Sequence, residues 1–223
     1  MWIKICGNTS LEDAQLAVEA GAHAVGFVFA ASPRQVTAAE VSRITPHLPE
    51  VIEKYGVFVD AEFEEVVRTV TEAGLTGAQL HVSNDPLLAS KLREHFGSSF
   101  GILQVIHYQQ DLGGQLALLR EDPAIDAVLI DSRTATVVGG TGIRFDWQAA
   151  SRSFFDAASR VRLIAAGGLK PENVAEAIRV LHPWGVDVVS GVESAPGRKD
   201  PARIKAFVTA AKMAADEITA SHR

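Results

Sequence analysis

Short runs rich in valine and isoleucine recur along the chain, each followed by a segment with apolar residues at helical spacing. This recurrence constrains the fold more than any other feature. Antiparallel strands can be joined by a few residues, whereas parallel strands need a crossover of a dozen or more. The runs fall at 2–6, 24–29, 54–59, 77–81, 101–107, 127–131, 161–166 and 186–190. They begin roughly every 20 to 35 residues, the length of one β-α unit. Most are apolar on consecutive residues, as expected of parallel strands covered on both faces. GAHAVGFVF, AGLTGAQLH and PWGVDVVSG each set a glycine ahead of the strand, which supports a repeated unit. Helical stretches at 11–19 and 63–72 lie between strands. Ser10, with Asp13 three residues on, is the expected N-cap of the first, and Pro171 is expected in the first turn of the seventh. Eight strands and about eight helices in 223 residues predict a single (β/α)8 TIM-barrel domain over 1–223. A doubly wound open sheet is the competing arrangement.

Composition narrows the class. Hydrophobic residues make up 47% and charged residues 22%, ordinary for a folded globular chain. A net charge of -6 repels a phosphate backbone, so nucleic acid is not an expected partner. No apolar run approaches the roughly 20 residues that span a bilayer, and no secretory signal is visible at the start. The single cysteine forms no internal disulfide, which fits a cytoplasmic protein. The 7 histidines are scattered, without H-E-x-x-H or a paired-cysteine site, so no metal is expected.

Barrels carry their chemistry at the C-terminal ends of the strands. Those ends read Cys6-Gly7, Ser32-Pro33-Arg34, Asp60, His81, His107, Asp131-Ser132-Arg133, Gly167-Gly168 and Ser190-Gly191, while the opposite ends offer ordinary turn residues. The asymmetry predicts one active face. On it, LIAAGGLKPENV ends an apolar strand in two glycines just before a helix, and VDVVSGVESAPG ends the next in Ser190-Gly191, then one short helical turn stopped by Pro196-Gly197. Glycines admit close backbone approach, and free amides at a helix start attract anions. Gly167, Gly168, Ser190 and Gly191 therefore form an expected phosphate seat, in the place where many barrels bind phosphate. GGTGIRFDW, at 139–147, lacks the Lys-Ser/Thr ending of a P-loop and reads as a lid or surface loop. Alternation along the first strand puts Lys4 and Cys6 on one face and Ile3 and Ile5 on the other. On these grounds alone Cys6 is either a buried inert thiol or a reactive group at the rim.

Taken together these motifs resemble the phosphoribosylanthranilate isomerases of tryptophan biosynthesis, over nearly the whole chain. The resemblance rests on KICGNTS, VGFVFAASPRQV, GVFV, Gln79-Leu80-His81, Asp131, GGTGIRFDW, AAGGLKPENV and SGVESAPGRKD, in that order. Val82 stands where the family commonly has glycine, and Val189 where it has the first of two serines.

The resemblance implies a cofactor-independent Amadori rearrangement of a small phosphosugar substrate, by a monomer or homodimer. Cys6 matches the family's general base and Asp131 its general acid. Arg34 matches the position that binds the anthranilate carboxylate, where a planar fork outperforms lysine. His81, Gly167, Gly168, Asp187, Ser190 and Gly191 fall in its substrate-binding set, Asp187 toward the substrate amine. A nearby Lys4 is expected to lower the Cys6 pKa, and pairing with Arg133 would lower that of Asp131. Three other readings stand beside this one. They are an isomerase for the related histidine-pathway substrate, a Schiff-base aldolase using Lys4 or Lys170, and a non-catalytic phosphosugar-binding barrel.

Overall fold

Strand parity decides what fills the barrel and what covers it. We describe a computed structural model that covers residues 1–81, 85–107, 116, 119, 122–131 and 162–221. Strand β1 is Trp2–Ile5. Ile3 and Ile5 are buried in the large outer core beneath the helices, whereas Trp2 belongs to a separate inner cluster with Ala24, Tyr55, Leu103, Leu129 and Ile164. The remaining barrel strands are β2 (Ala24–Val28), β3 (Glu53–Phe58), β4 (Gly77–Leu80), β5 (Gly101–His107), β6 (Ala127–Asp131), β7 (Arg162–Ala166) and β8 (Gly185–Val188). Each is parallel to its neighbour, and β8 returns to β1 with Lys4 opposite Asp187. The ring is closed, so the open-sheet alternative falls away.

Helices among the described residues are α1 (Leu11–Ala20), α2 (Ala38–Val41), α3 (Phe63–Ala73), α4 (Leu88–Phe96), α5 (Val174–Leu181) and α6 (Pro201–Ser221). None of them is long and apolar enough to cross a membrane. Ser10 caps α1 as expected, its Oγ accepting from the Asp13 amide at 3.1 Å. Pro171 is a correction. It lies in the turn before α5 rather than in the helix, whose N-cap is Asn173. The Asn173 side chain instead braces the preceding loop, accepting from the Lys170 amide at 2.8 Å and donating to the Gly168 carbonyl at 3.1 Å. The Pro196-Gly197 segment is a second difference. A 3-10 turn at Ser190–Val192 leads into a two-stranded antiparallel hairpin, β9 (Glu193–Ala195) and β10 (Arg198–Lys199).

The N-terminal end of the barrel is plugged by aromatics. Trp2 stacks on Trp184 at 5.2 Å and meets Tyr55 edge-on at 6.2 Å. Their polar tips both reach Glu53, the Trp2 indole at 3.4 Å and the Tyr55 hydroxyl at 2.9 Å. Glycines stand where these rings need room, since side chains at Gly77 and Gly101 would strike Tyr55 and one at Gly185 would strike Trp2. Rings of this size bury about 150–250 Å² each, so the plug is a large share of the inner core. Among the described residues, the opposite end stays open.

Candidate active site

At the open end a cavity of ≈ 250 Å³ is lined by residues from the ends of several strands, among them Cys6, Arg34, His81, Asp131, Asp187 and Ser190. Its floor is built around a buried charge. Lys4 is fully buried, and its ammonium donates to Asp187 Oδ1 at 2.8 Å and Gln79 Oε1 at 2.7 Å, with the Cys6 sulfur beside its side chain over Gly26. Burial works against the charge, but Asp187 and Cys6 outweigh it and the Lys4 pKa is raised. A raised amine is a poor Schiff-base nucleophile, which counts against Lys4 in an aldolase. Lys170, the other aldolase candidate, is half exposed and outside the cavity lining.

Cys6 continues the β1 ladder, its amide donating to the Val188 carbonyl at 2.9 Å. The thiol is buried, which pushes its pKa up; Lys4 pulls it down, Asp187 pushes it up again, and the net direction is upward. The expected influence of Lys4 is present but does not prevail. The Lys4 cation beneath the sulfur stands ready to stabilise a thiolate. Gly26 on β2 makes this arrangement fit, because a Cβ there would press on both the Cys6 sulfur and the Lys4 Cε.

Arg34 reaches the cavity from the loop after β2. Its Nε and Nη2 form a bidentate pair with Glu193 at 2.7 and 2.6 Å. This raises the Arg34 pKa, and Arg34 and Lys199 hold the Glu193 carboxyl below the usual range despite burial. Lys199, itself buried, donates to Glu193 at 3.1 Å, to the Cys6 carbonyl at 2.6 Å and to the Val189 carbonyl at 3.2 Å. The arginine that faces the cavity and the backbone that carries the thiol therefore share one brace.

Across the mouth, the loop after β7 turns at Gly167 and Gly168, with φ of 82° and 66°, a left-handed pair that side chains resist. Beyond Gly168 a Cβ would meet open space, so the turn keeps its backbone accessible. Ser190 opens the 3-10 turn after β8, where the first amides of a helical turn have no acceptor within it. Gly191 has another task. It does not line the cavity, and a Cβ there would collide with the Leu169 carbonyl, so its smallness seats one loop on the other.

The cavity thus gathers Cys6, Asp131, Arg34, His81, Gly167, Gly168, Asp187 and Ser190, with Gly191 just behind. His81 sits 3.2 Å from the Gln79 side-chain nitrogen, with the His107 ring 6.2 Å from its own. Asp187 spends an oxygen on Lys4 rather than facing the mouth unengaged. Val189 lines the cavity wall and Val82, Ser132, Arg133 and the 139–147 segment lie outside the described residues. Gln79, Glu193 and Lys199 stand within the quoted motifs but are not among the expected site residues. Parity from His81 places Gln79 inward, but for Glu193 and Lys199 no local pattern announces a brace.

A closed (β/α)8 barrel with a thiol, a carboxylate, an arginine and glycine-rich loops around one mouth places the chain among the TIM-barrel enzymes. Residues 3–210 match the family model described as N-(5'phosphoribosyl)anthranilate (PRA) isomerase, and the chain belongs to that family. A relative from Geobacter sp. (strain M21), named N-(5'-phosphoribosyl)anthranilate isomerase, is 41% identical over 94% of this chain and 97% of its own. The crystal structure of phosphoribosyl anthranilate isomerase from Thermotoga maritima superposes with a TM-score of 0.83 at 38% identity, covering 96% of this chain and 99% of that one. Another crystal structure of such an enzyme, in complex with reduced 1-(o-carboxyphenylamino)-1-deoxyribulose 5-phosphate, gives a TM-score of 0.79 at 36% identity, with 96% and 99% coverage.

Proposed function

We propose that this chain is the isomerase that converts N-(5-phosphoribosyl)anthranilate to 1-(2-carboxyphenylamino)-1-deoxyribulose 5-phosphate in tryptophan biosynthesis. The observation that carries the reading is the sharing of one cavity by Cys6 and Asp131, beside Arg34 and the loops at 167–168 and 190. Asp131 gives a proton to the furanose ring oxygen, the ring C–O bond breaks, and a protonated imine forms at C1. That cation acidifies the C2 hydrogen, which Cys6 takes as its thiolate, the form left once the thiol proton has passed to solvent. The resulting enolamine tautomerises to the ketone, with a proton returning at C1, so the reaction is an isomerisation. Strands β1 and β6 are separated by β7 and β8 on one side and four strands on the other, so acid and base approach the sugar from different sides.

The imine's positive charge arrives beside the thiol only after ring opening, adding to that of Lys4. Arg34 grips the anthranilate carboxylate, and the amides near Gly168 and Ser190 hold the phosphate, spending remote binding energy on orientation. The working unit is one barrel domain, acting as a monomer or within a homodimer, and the cytoplasm is its proposed location.

The test is to mix the purified protein with freshly made phosphoribosylanthranilate and follow the loss of anthranilate fluorescence, with a no-enzyme control for spontaneous hydrolysis. Cys6→Ala and Asp131→Ala are each expected to lower turnover at least about a hundredfold. Near-normal turnover in either folded variant removes that residue's role. Phosphate binding without conversion by the wild type moves the reading to the non-catalytic barrel.

A further inference from the structure

A lysine ammonium has three hydrogens and no acceptor, and the side chain of Lys4 is wholly buried. It donates to Asp187 Oδ1 and Gln79 Oε1, and the Cys6 sulfur lies beside its side chain over Gly26. Because Lys4 only donates, the atom of Gln79 that it meets must be the amide oxygen, so the orientation of that amide is settled. The other end of the amide, Nε2, then faces His81 Nε2 at 3.2 Å. An amide NH2 also only donates, so His81 Nε2 must accept and carries no proton. The chain of donors therefore runs in one direction from a fixed charge on the barrel floor to a histidine on the cavity wall.

From this we infer that Lys4 is a positioning residue for the reaction: its charge, beside the sulfur, supports the Cys6 thiolate, and one of its hydrogens, through Gln79, holds His81 as the neutral Nδ1–H tautomer. The Cys6 half rests on the proposed reading of Cys6 as the base, while the His81 half stands on geometry alone. Its consequence is a division of labour at the mouth. Protonating His81 at Nε2 would set an N–H against the Gln79 amide hydrogens, so the ring remains a neutral binding group while Cys6 and Asp131 exchange protons. Groups of either sign surround this centre. Asp187 on β8, Lys199 on β10 and Arg34 after β2 act on the thiol alongside Lys4, with Asp131 on β6 and Glu193 on β9 at the same end of the barrel. The His107 ring on β5 lies beside His81. The inferred effect of Lys4 on Cys6 is thus a difference against a mixed background, and it must be read by removing Lys4.

The tautomer is readable directly. Long-range ¹⁵N–¹H correlation spectra of the full-length protein, with the His81 signals assigned from a His81→Asn sample, are expected to show a protonated Nδ1 and a bare Nε2. That pattern should persist below the ordinary histidine range near pH 6.5. In Gln79→Met, which cannot donate, the same ring should exchange between tautomers and titrate ordinarily. A wild-type His81 protonated at Nε2, or titrating as in the variant, overturns the link through Gln79. For the thiol, the rate of Cys6 alkylation by iodoacetamide at fixed pH should fall at least about tenfold in a Lys4→Met/Asp187→Asn double variant, equivalent to one pKa unit. The paired change avoids stranding a buried carboxylate. Comparison with Asp187→Asn alone isolates the ammonium, and an equal rate in the two overturns the link to Cys6. Neither measurement uses turnover, so their failure is distinct from failure of the isomerase reading.

Discussion

Two residues outside the proposed acid–base pair decide whether the reactive groups stand in place. Gly26 is the first. A methyl group there meets the Cys6 sulfur and the Lys4 Cε, both held by buried neighbours, so neither can step aside cheaply. Gly26→Ala is expected to destabilise by about 1–3 kcal/mol, the usual cost of overpacking. It should also lower kcat by more than the Tm change explains, because the displaced atom is the proposed base. Thermal melts beside steady-state kinetics check this, and a normal kcat in a destabilised variant counts against it. Glu193 is the second. Arg34 gives it two charge-assisted hydrogen bonds, and Lys199 fixes it from behind. Glu193→Gln keeps the shape and removes the charge. The expected outcome is a KM raised about tenfold with kcat within about threefold, the pattern of lost uniform binding. A fall in kcat at unchanged KM would instead place Glu193 in the chemical step.

At the scale of elements, the barrel strands were legible because each carries its own message. A consecutive apolar run before a helical segment means a parallel strand wherever it occurs, and parity along β1 separated Lys4 from Ile3 and Ile5 before any coordinates. The hairpin β9–β10 was not legible. ESAPGRK is polar and too short for alternation, and the strands are held by tertiary bonds such as Thr9 Oγ1 to the Gly197 carbonyl at 2.7 Å. The same holds for the Arg34–Glu193 brace, whose partners are 159 positions apart. Its residues were visible within motifs, but their pairing was not. One seam between elements has a pH dependence. The Ile3 amide donates to His23 Nδ1 at 3.2 Å, and the His23 amide returns a bond to the Ile3 carbonyl at 2.9 Å, joining β1 to the start of β2. Partial burial, the chain's amino terminus and Lys212 lower the His23 pKa. The unfolded chain therefore takes up the proton first as pH falls. This contribution is whole above about pH 6.5 and is lost as pH drops through the lower folded value. His23→Gln can still accept from Ile3 but does not titrate. Urea midpoints should fall more for the wild type than for His23→Gln between about pH 8 and about pH 5. Parallel curves would show that the seam does not depend on the charge state of His23.

The molecule as a whole separates stability from chemistry along one axis. β1 spans both, with Trp2 in the aromatic plug and Cys6 at the mouth, about 13 Å apart at strand spacing. Between them lies Lys4, whose partners Asp187 and Gln79 belong to the mouth side. Trp2 is almost fully buried against Trp184 and Tyr55. Trp2→Ala is therefore expected to cost about 3–5 kcal/mol, the range for emptying a large aromatic site. Its kcat/KM at 25 °C, measured where the variant remains folded, should stay within about threefold of the wild type. Cys6→Ala should show the reverse, little loss of stability and a large loss of turnover. Because the two sites exceed the distance at which substitutions usually couple, the double variant's stability should equal the sum of the single effects within about 0.5 kcal/mol. A coupling well beyond that would mean that plug and mouth communicate through the Lys4 layer. In that case Trp2→Ala should also shift the pH at which Cys6 reacts with iodoacetamide, and the two results together would identify the buried ammonium as the element they share.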